Sequence, residues 1–222
     1  MTKINIFISR NLATNSPFHN LLHPRGISIE DQSLLHFSPI SFTDLKSEWV
    51  FFYSKTGVRY FLDQGGSHNN KKIGTFGPGT AHFFFERTNR EVDFIGSGER
   101  NDVAIKFRKV LNNDMCLFVV GKNSLRSIQK SIKIDQFLEV IVYDNKPKTN
   151  IDINNPNVAV FTSPMAVQTY FKNYPHRNHL NIAIGKTTFK SLCDCGIKNN
   201  QIADNPTESS MAVALQSYLN KL

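Results

Sequence analysis

Two stretches of this chain are variations on one another, and that repeat limits the possible folds more than any other feature. Trp49-Val-Phe-Phe-Tyr-Ser54-Lys-Thr-Gly-Val58 aligns with Val158-Ala-Val-Phe-Thr-Ser163-Pro-Met-Ala-Val167. Downstream, Ile73-Gly-Thr-Phe-Gly77-Pro-Gly-Thr80 aligns with Asn181-Ile-Ala-Ile-Gly185-Lys-Thr-Thr188. The serine precedes the glycine by 23 residues in the first copy and by 22 in the second. Two motifs that keep their separation imply two related halves. Each half offers a strand-Ser-helix turn and a strand-Gly-x-x-Thr-helix turn.

The rest of the chain supports an α/β reading. Ile4–Ile8, Trp49–Tyr53, Cys116–Val120, Leu138–Tyr143, Val158–Phe161 and Ile182–Ile184 are short, apolar and rich in Val, Ile and Phe. They lack a two-residue alternation, the pattern of strands buried on both faces of a parallel sheet. Between them lie helical spacings such as Val58, Phe61 and Leu62, or Val103, Phe107, Val110 and Leu111. Strand and helix in alternation build βαβ units. Ser163-Pro164 reads as a cap followed by proline at the first helical position. Asn205-Pro206-Thr207-Glu208 reads as a variant capping box. The polar stretches 65–70, 145–156 and 173–178 are the expected connections.

Charge and cysteine usage narrow the function classes. The 222 residues carry a net charge of +8. Residues 1–111 hold 14 Lys/Arg against 10 Asp/Glu, and residues 112–222 hold 12 against 8. Each half is therefore about +4, with no basic arm, whereas nucleic-acid binders usually concentrate charge on one face or segment. The even excess fits attraction of a small polyanion about as well as a slightly basic surface, and the expectation is of no nucleic-acid partner. No apolar run is long enough to span a bilayer, and the first ten residues read as a strand rather than a secretory signal. A cytoplasmic protein with no membrane partner is the expectation. Cys116, Cys193 and Cys195 are too few and too unevenly spaced for a disulfide framework. Cys193 is expected to pack inside a helix, with Cys195 near its end. No metal is expected: Cys193-x-Cys195 has no second ligand pair, and His19 with His23 has no third ligand.

The repeated turns carry the candidate chemistry. In an open α/β sheet ligands bind beyond the carboxyl ends of the strands. A helix starting there exposes unpaired N–H groups that favour an anion. Ser54, Thr80, Ser163, Thr187 and Thr188 add hydroxyls. Arg10, Lys55, Lys122, Arg126 and Lys186 are the basic candidates, Arg10 first because it directly follows a strand. Four such termini facing one another would form a cleft for several carboxylates or phosphates. The plainer reading makes each hydroxyl an N-cap and each cation a solvated charge. There is no Gly-x-Ser-x-Gly elbow, no Gly-x-x-x-x-Gly-Lys-Ser/Thr loop and no Gly-x-Gly-x-x-Gly after the first strand.

Together these pieces resemble the uroporphyrinogen-III synthase family. Ile6-Phe-Ile-Ser-Arg10 is similar to the family's first strand with its terminal arginine. Val-Phe-Phe-Tyr-Ser54 and Val-Phe-Thr-Ser163-Pro164 look like its paired turns. Ala183-Ile-Gly185-Lys-Thr187-Thr188, then Gly196-Ile197 and Asn205-Pro206-Thr207, resemble its C-terminal stretch, and Leu138-Glu-Val-Ile-Val-Tyr143 its tyrosine-bearing strand. Lys55 and Lys186 depart from it, standing where a proline or small residue is common.

The resemblance implies two α/β domains, each a parallel sheet flanked by helices, joined by a two-stranded connector. Residues 1–37 with 146–222 would form one and 38–145 the other, with the active-site cleft between them. It implies a monomer, no cofactor, and hydroxymethylbilane, a linear tetrapyrrole with eight carboxylates, as substrate. Loss of the terminal hydroxyl leaves a cation that the pyrroles themselves stabilise, and closure through a spiro intermediate inverts the last ring. Tyr143 is the implied proton donor, because a phenol is neutral at pH 7. Arg10, Ser54, Thr80, Lys122, Ser163, Lys186, Thr187 and Thr188 are the implied substrate-binding residues. Two other classes stay open. A non-catalytic two-domain module could bind a polyanionic ligand with the same turns. A different α/β enzyme, acting on phosphorylated metabolites, would need a phosphate loop or carboxylate pair.

Overall fold

A computed structural model describes residues 4–21 and 26–221. In chain order the strands are β1 (Ile4–Ile8), β2 (Ile27–Asp31), β3 (Leu35–Pro39), β4 (Trp49–Phe52), β5 (Lys72–Thr75), β6 (Phe94–Ile95), β7 (Cys116–Gly121), β8 (Phe137–Pro147), β9 (Val158–Phe161), β10 (Leu180–Ala183) and β11 (Asn200–Ile202). The helices are α1 (Lys55–Asp63), α2 (Pro78–Thr88), α3 (Arg100–Leu111), α4 (Pro164–Asn173), α5 (Lys186–Asp194) and α6 (Glu208–Leu219). The chain divides into two compact units, Met1–His36 with Lys146–Leu222 and Phe37–Asn145.

The apolar runs are strands because each feeds two cores at once. In β4, Trp49 and Phe51 enter one cluster while Val50 and Phe52 enter another. In β7, Cys116, Phe118 and Val120 join the first, and Leu117 and Val119 the second. Helix α3 covers one face through Val103, Phe107 and Leu111, and α1 and α2 cover the other through Val58, Phe61 and Phe84. The other unit repeats the scheme: Ile6 and Ile8 face Met211 and Leu215 of α6, while Phe7 faces Tyr170 of α4. A two-residue geometry with apolar side chains on both faces reads in sequence as a continuous apolar run.

The two sheets share one winding. The first has the order β11-β10-β9-β1-β2, and the second β3-β8-β7-β4-β5-β6. Pairing is parallel from β2 across to β11, and from β8 across to β6. Matching β7 to β1 and β8 to β2 makes the orders coincide, with β4, β5 and β6 standing for β9, β10 and β11. The second unit is the same doubly wound sheet entered at its third strand. Its extra edge strand, β3, pairs with β8: Ile40 N–H donates to Val142 O (3.0 Å) and Lys148 N–H to Leu34 O (2.9 Å). Those pairings run in opposite directions, so β3 and β8 are antiparallel.

Several local expectations change. Helix α6 is capped by Thr207, whose hydroxyl accepts from Ser210 N–H, so Pro206 precedes the cap and Asn205 lies outside it. Ser210 in turn accepts from Asn205 N–H at 3.1 Å. Strand β8 continues to Pro147 and takes the start of the expected 145–156 loop. Strand β10 begins at Leu180 and stops before Ile184. Val110 is 46% exposed, at the margin of the α3 stripe. Cys193 is exposed rather than packed inside, because α5 buries Thr188, Ser191 and Leu192, one helical face that excludes it.

Candidate functional site

Both sheets reverse their winding once, and the reversal leaves a crevice at the carboxyl ends of the two strands that flank it. In the first unit these strands are β1 and β9, and in the second they are β4 and β7. Arg10 and Ser163 follow the first pair, and Ser54 and Lys122 the second. Four of the residues picked from the sequence therefore stand at switch points.

In the first unit, the Ser9 hydroxyl is buried and accepts from Thr162 N–H at 3.0 Å, joining the ends of β1 and β9. Ser163 caps α4 by accepting from Ala166 N–H. The Arg10 guanidinium lies 3.5 Å from the Glu208 carboxylate, at the first position of α6, and that carboxylate also accepts from the Ser16 hydroxyl. Gly185 starts α5. Lys186 and Thr187 are exposed there, while Thr188 is 1% exposed and its N–H donates to Gly185 O.

In the second unit, Ser54 caps α1, accepting from Gly57 N–H at 3.1 Å. Gly77 starts α2 with Pro78 at its first position, and Thr80 is 8% exposed. The repeated threonines Thr80 and Thr188 thus share burial as well as sequence position. Lys55 reaches towards α2: its Cε lies 3.7 Å from where a side chain on Gly79 would begin. Lys122 N–H donates to Tyr143 O at 2.9 Å, and its ammonium lies 3.6 Å from Asp144. A hollow of about 580 Å³ lined by Gly65–Asn69, Arg87 and Thr88 contains none of these residues; it lies by the far end of α1 from Ser54.

Tyr143 reaches this site through a local irregularity. In β8, Leu138, Val140 and Val142 face the α1 side, and Ile141 faces the other. Strict alternation would send Tyr143 with Ile141. The β7–β8 register slips between Val120, paired with Ile141, and Gly121, paired with Tyr143. That bulge turns the tyrosine to the α1 side, as bulges commonly re-aim a side chain. Its ring stacks on Tyr60 with centroids 5.5 Å apart and packs against Phe37 at 5.9 Å. Burial pushes the phenol above its ordinary value, the nearby Ser54 hydroxyl draws it part of the way back, and neighbouring Tyr60 adds a smaller upward push. At neutral pH it holds its proton.

Other phenols are committed elsewhere. Tyr53, pushed up by burial, donates to Gln129 Oε1 at 2.8 Å and accepts from Ile128 N–H at 3.0 Å. Tyr170 bonds His179 and Arg177, and Tyr174 bonds Ile151 and Ile153. Arg126 meets Glu139 through three contacts of 2.8–3.0 Å and donates to Ser124 O, so its fork is occupied. Gln129 joins the same carboxylate, completing a Tyr53–Gln129–Glu139–Arg126 strut behind the 122–128 loop. Nothing in the local sequence signals this strut, nor Tyr60 as the stacking partner of Tyr143. Among the described residues no three His, Cys, Asp or Glu are grouped to hold a metal. His19 bonds Ala13 O, and His23 lies outside the described residues.

The family model described as uroporphyrinogen-III synthase HemD matches residues 19–212. Uroporphyrinogen-III synthetase from Helicobacter pylori has a similar structure, with a TM-score of 0.67 at 18% identity, over 97% of this chain and all of that one. A mutant uroporphyrinogen III synthase from Thermus thermophilus aligns with a TM-score of 0.60 at 12% identity, over 99% and 100% of the two chains. At these identities the likeness shows the fold: two α/β units with parallel sheets flanked by helices. Sequence comparison with curated proteins gives no match.

Proposed function

Because the chain belongs to the uroporphyrinogen-III synthase family, a family of cyclising lyases that bind hydroxymethylbilane, we propose that Tyr143 protonates the departing hydroxyl. We propose further that Arg10, Ser54, Thr80, Lys122, Ser163, Lys186, Thr187 and Thr188 form the surface that holds the substrate's carboxylates. Residues 1–37 with 146–222 and residues 38–145 are assigned as its two gripping halves. The protein acts as a cytoplasmic monomer and has no nucleic-acid partner.

The reaction asks for a proton at the leaving oxygen and for a held conformation; the pyrroles supply the electrons. One observation carries the reading: the Tyr143 phenol is kept protonated by burial and stands opposite Gly121, at the end of a switch-point strand. The Ser54 oxygen already accepts from Gly57 N–H. At neutral pH the phenol keeps the proton that the departing hydroxyl requires. Exposed Lys186 and Thr187 and the N-termini of α1, α2, α4 and α5 suit carboxylates, each terminus contributing about 0.3–1 kcal/mol. Thr80 and Thr188, being buried, serve that surface by shaping the turns that present it.

Uninverted closure competes without help, so a hundredfold preference for inversion requires a difference of only about 2.7 kcal/mol between transition states. Orientation by several weak contacts reaches that figure. The test is turnover of freshly generated hydroxymethylbilane with separation of type I and type III products. The expected result is type III in excess over an enzyme-free control, and about a hundredfold lower kcat for Tyr143→Phe with KM near normal. Unchanged turnover by the folded variant would remove Tyr143 from the chemistry.

A further inference from the structure

We propose that Gly121 is a positioning residue, the empty seat at the end of β7 that lets the Tyr143 phenol lie across that strand end. The inference deepens the reading of Tyr143 as proton donor and rests on it. A Cβ built on Gly121 would lie 2.4 Å from Tyr143 Cζ, 2.6 Å from Cε2 and 2.7 Å from the phenolic oxygen. All three nearest atoms belong to that one ring. Real Cβ contacts are never so short, so any side chain here must drive the ring away. The residue is not glycine for a turn, since its φ is outside the left-handed range; it sits in a fully buried strand. Backbone conformation does not require glycine here, and the approach of the ring does.

Three further features hold the phenol to this place. The register slip at Gly121 brings Tyr143 opposite it. Tyr60 stacks on the ring at 24° between planes. Gly121 N–H donates to the Ser124 hydroxyl at 3.0 Å, which anchors the strand end on its own loop. A methyl group on Gly121 leaves that N–H untouched and pushes only on the ring. Tyr60, stacked on the ring, opposes its exit on that side, so the phenol is forced out of its present place.

The experiment compares Gly121→Ala, Tyr143→Phe, Tyr143→Ala and the double variant Gly121→Ala/Tyr143→Ala in the full chain. Thermal unfolding tests the seat without reference to activity. Gly121→Ala should lower the melting temperature when Tyr143 is present and leave it unchanged in the Tyr143→Ala background; equal losses in both backgrounds would overturn the seat. Should Gly121→Ala alone fail to fold, recovery of folding in the double variant supports the seat, and continued failure overturns it. For the folded Gly121→Ala protein, kcat should fall by at least about tenfold with KM within about twofold. Its ultraviolet titration should show the phenol missing from Tyr143→Phe moving down in pH as it leaves its buried place. Full kcat in Gly121→Ala beside a slow Tyr143→Phe would overturn the positioning role alone. Full kcat in both would overturn the donor reading, and the unfolding data would still judge the seat.

Discussion

A phenol can deliver a proton only when its own O–H is not already given to the protein. Tyr53 donates to Gln129 and Tyr174 to Ile151, whereas the Tyr143 ring is held by stacking on Tyr60 and packing against Phe37. Ser54 and Ser163 share one task in the repeated turns: each caps its helix by accepting an N–H three residues on, and Ser54 also lies near the Tyr143 phenol. Replacing either by alanine should cost about 1 kcal/mol of stability, the usual loss for a hydroxyl cap. Chemical denaturation should find the two losses similar, while kcat should fall further for Ser54→Ala. Equal kcat values would detach Ser54 from the phenol. The capping roles were legible in sequence, because Ser before an apolar helical pattern is a local signal. The closeness of Ser54 to Tyr143 was not, since 89 residues separate them.

At the scale of elements, α4 and β10 are tied by a buried polar cluster. His179 Nε2 meets the Tyr170 hydroxyl at 2.9 Å, Nδ1 faces Leu180 O at 3.2 Å, and Arg177 donates to the same Tyr170 hydroxyl at 3.1 Å. Burial lowers the His179 pKa below its ordinary value; the Leu180 carbonyl opposes this and the charge of Arg177 adds to it. The folded protein therefore binds this proton less readily than the unfolded chain. The stabilisation is complete above about pH 6.5 and is lost as pH falls below that towards the lowered folded value. His68 is lowered as well, chiefly by burial, with Arg90 adding to it, and acts in the same direction. Urea unfolding at falling pH should show an acid-labile component that shrinks in His179→Gln; an unchanged pH profile would exclude His179 as its source. The strands and helices themselves were readable from apolar runs and caps. The slip in β8 was not, because no residue type marks it: it arises where Gly121 and Tyr143 meet.

For the whole molecule, a net charge of +8 and a substrate with eight carboxylates imply attraction that mobile ions weaken. The Debye length shrinks from about 10 Å at 0.1 M salt to about 3 Å at 1 M. KM for hydroxymethylbilane should rise across that range while kcat changes little, since the proposed donor, Tyr143, is a largely buried phenol. A KM indifferent to salt would contradict binding through exposed Lys186, Lys122 and Arg10. The family match over residues 19–212 and the shared fold agree with the order of motifs along the chain. The repeat was the legible part: matched turns required matched βα units. That one unit is the other's winding entered at the third strand was not legible, because strand order depends on which apolar faces meet.

By itself the sequence determined the α/β class, the two related units, the helix caps at Ser54 and Ser163, and the family, all through local patterns of apolar residues, turns and hydroxyls. Only tertiary structure decided that Thr80 and Thr188 are buried, that Arg126 is taken by Glu139, and that Arg10 already faces Glu208. It also decided that Tyr143 lies on the α1 face, against Gly121 and beside Ser54. Propensity and periodicity act over a few neighbouring residues. The partner of a charge, and the room left for a ring, depend on residues brought together from distant parts of the chain.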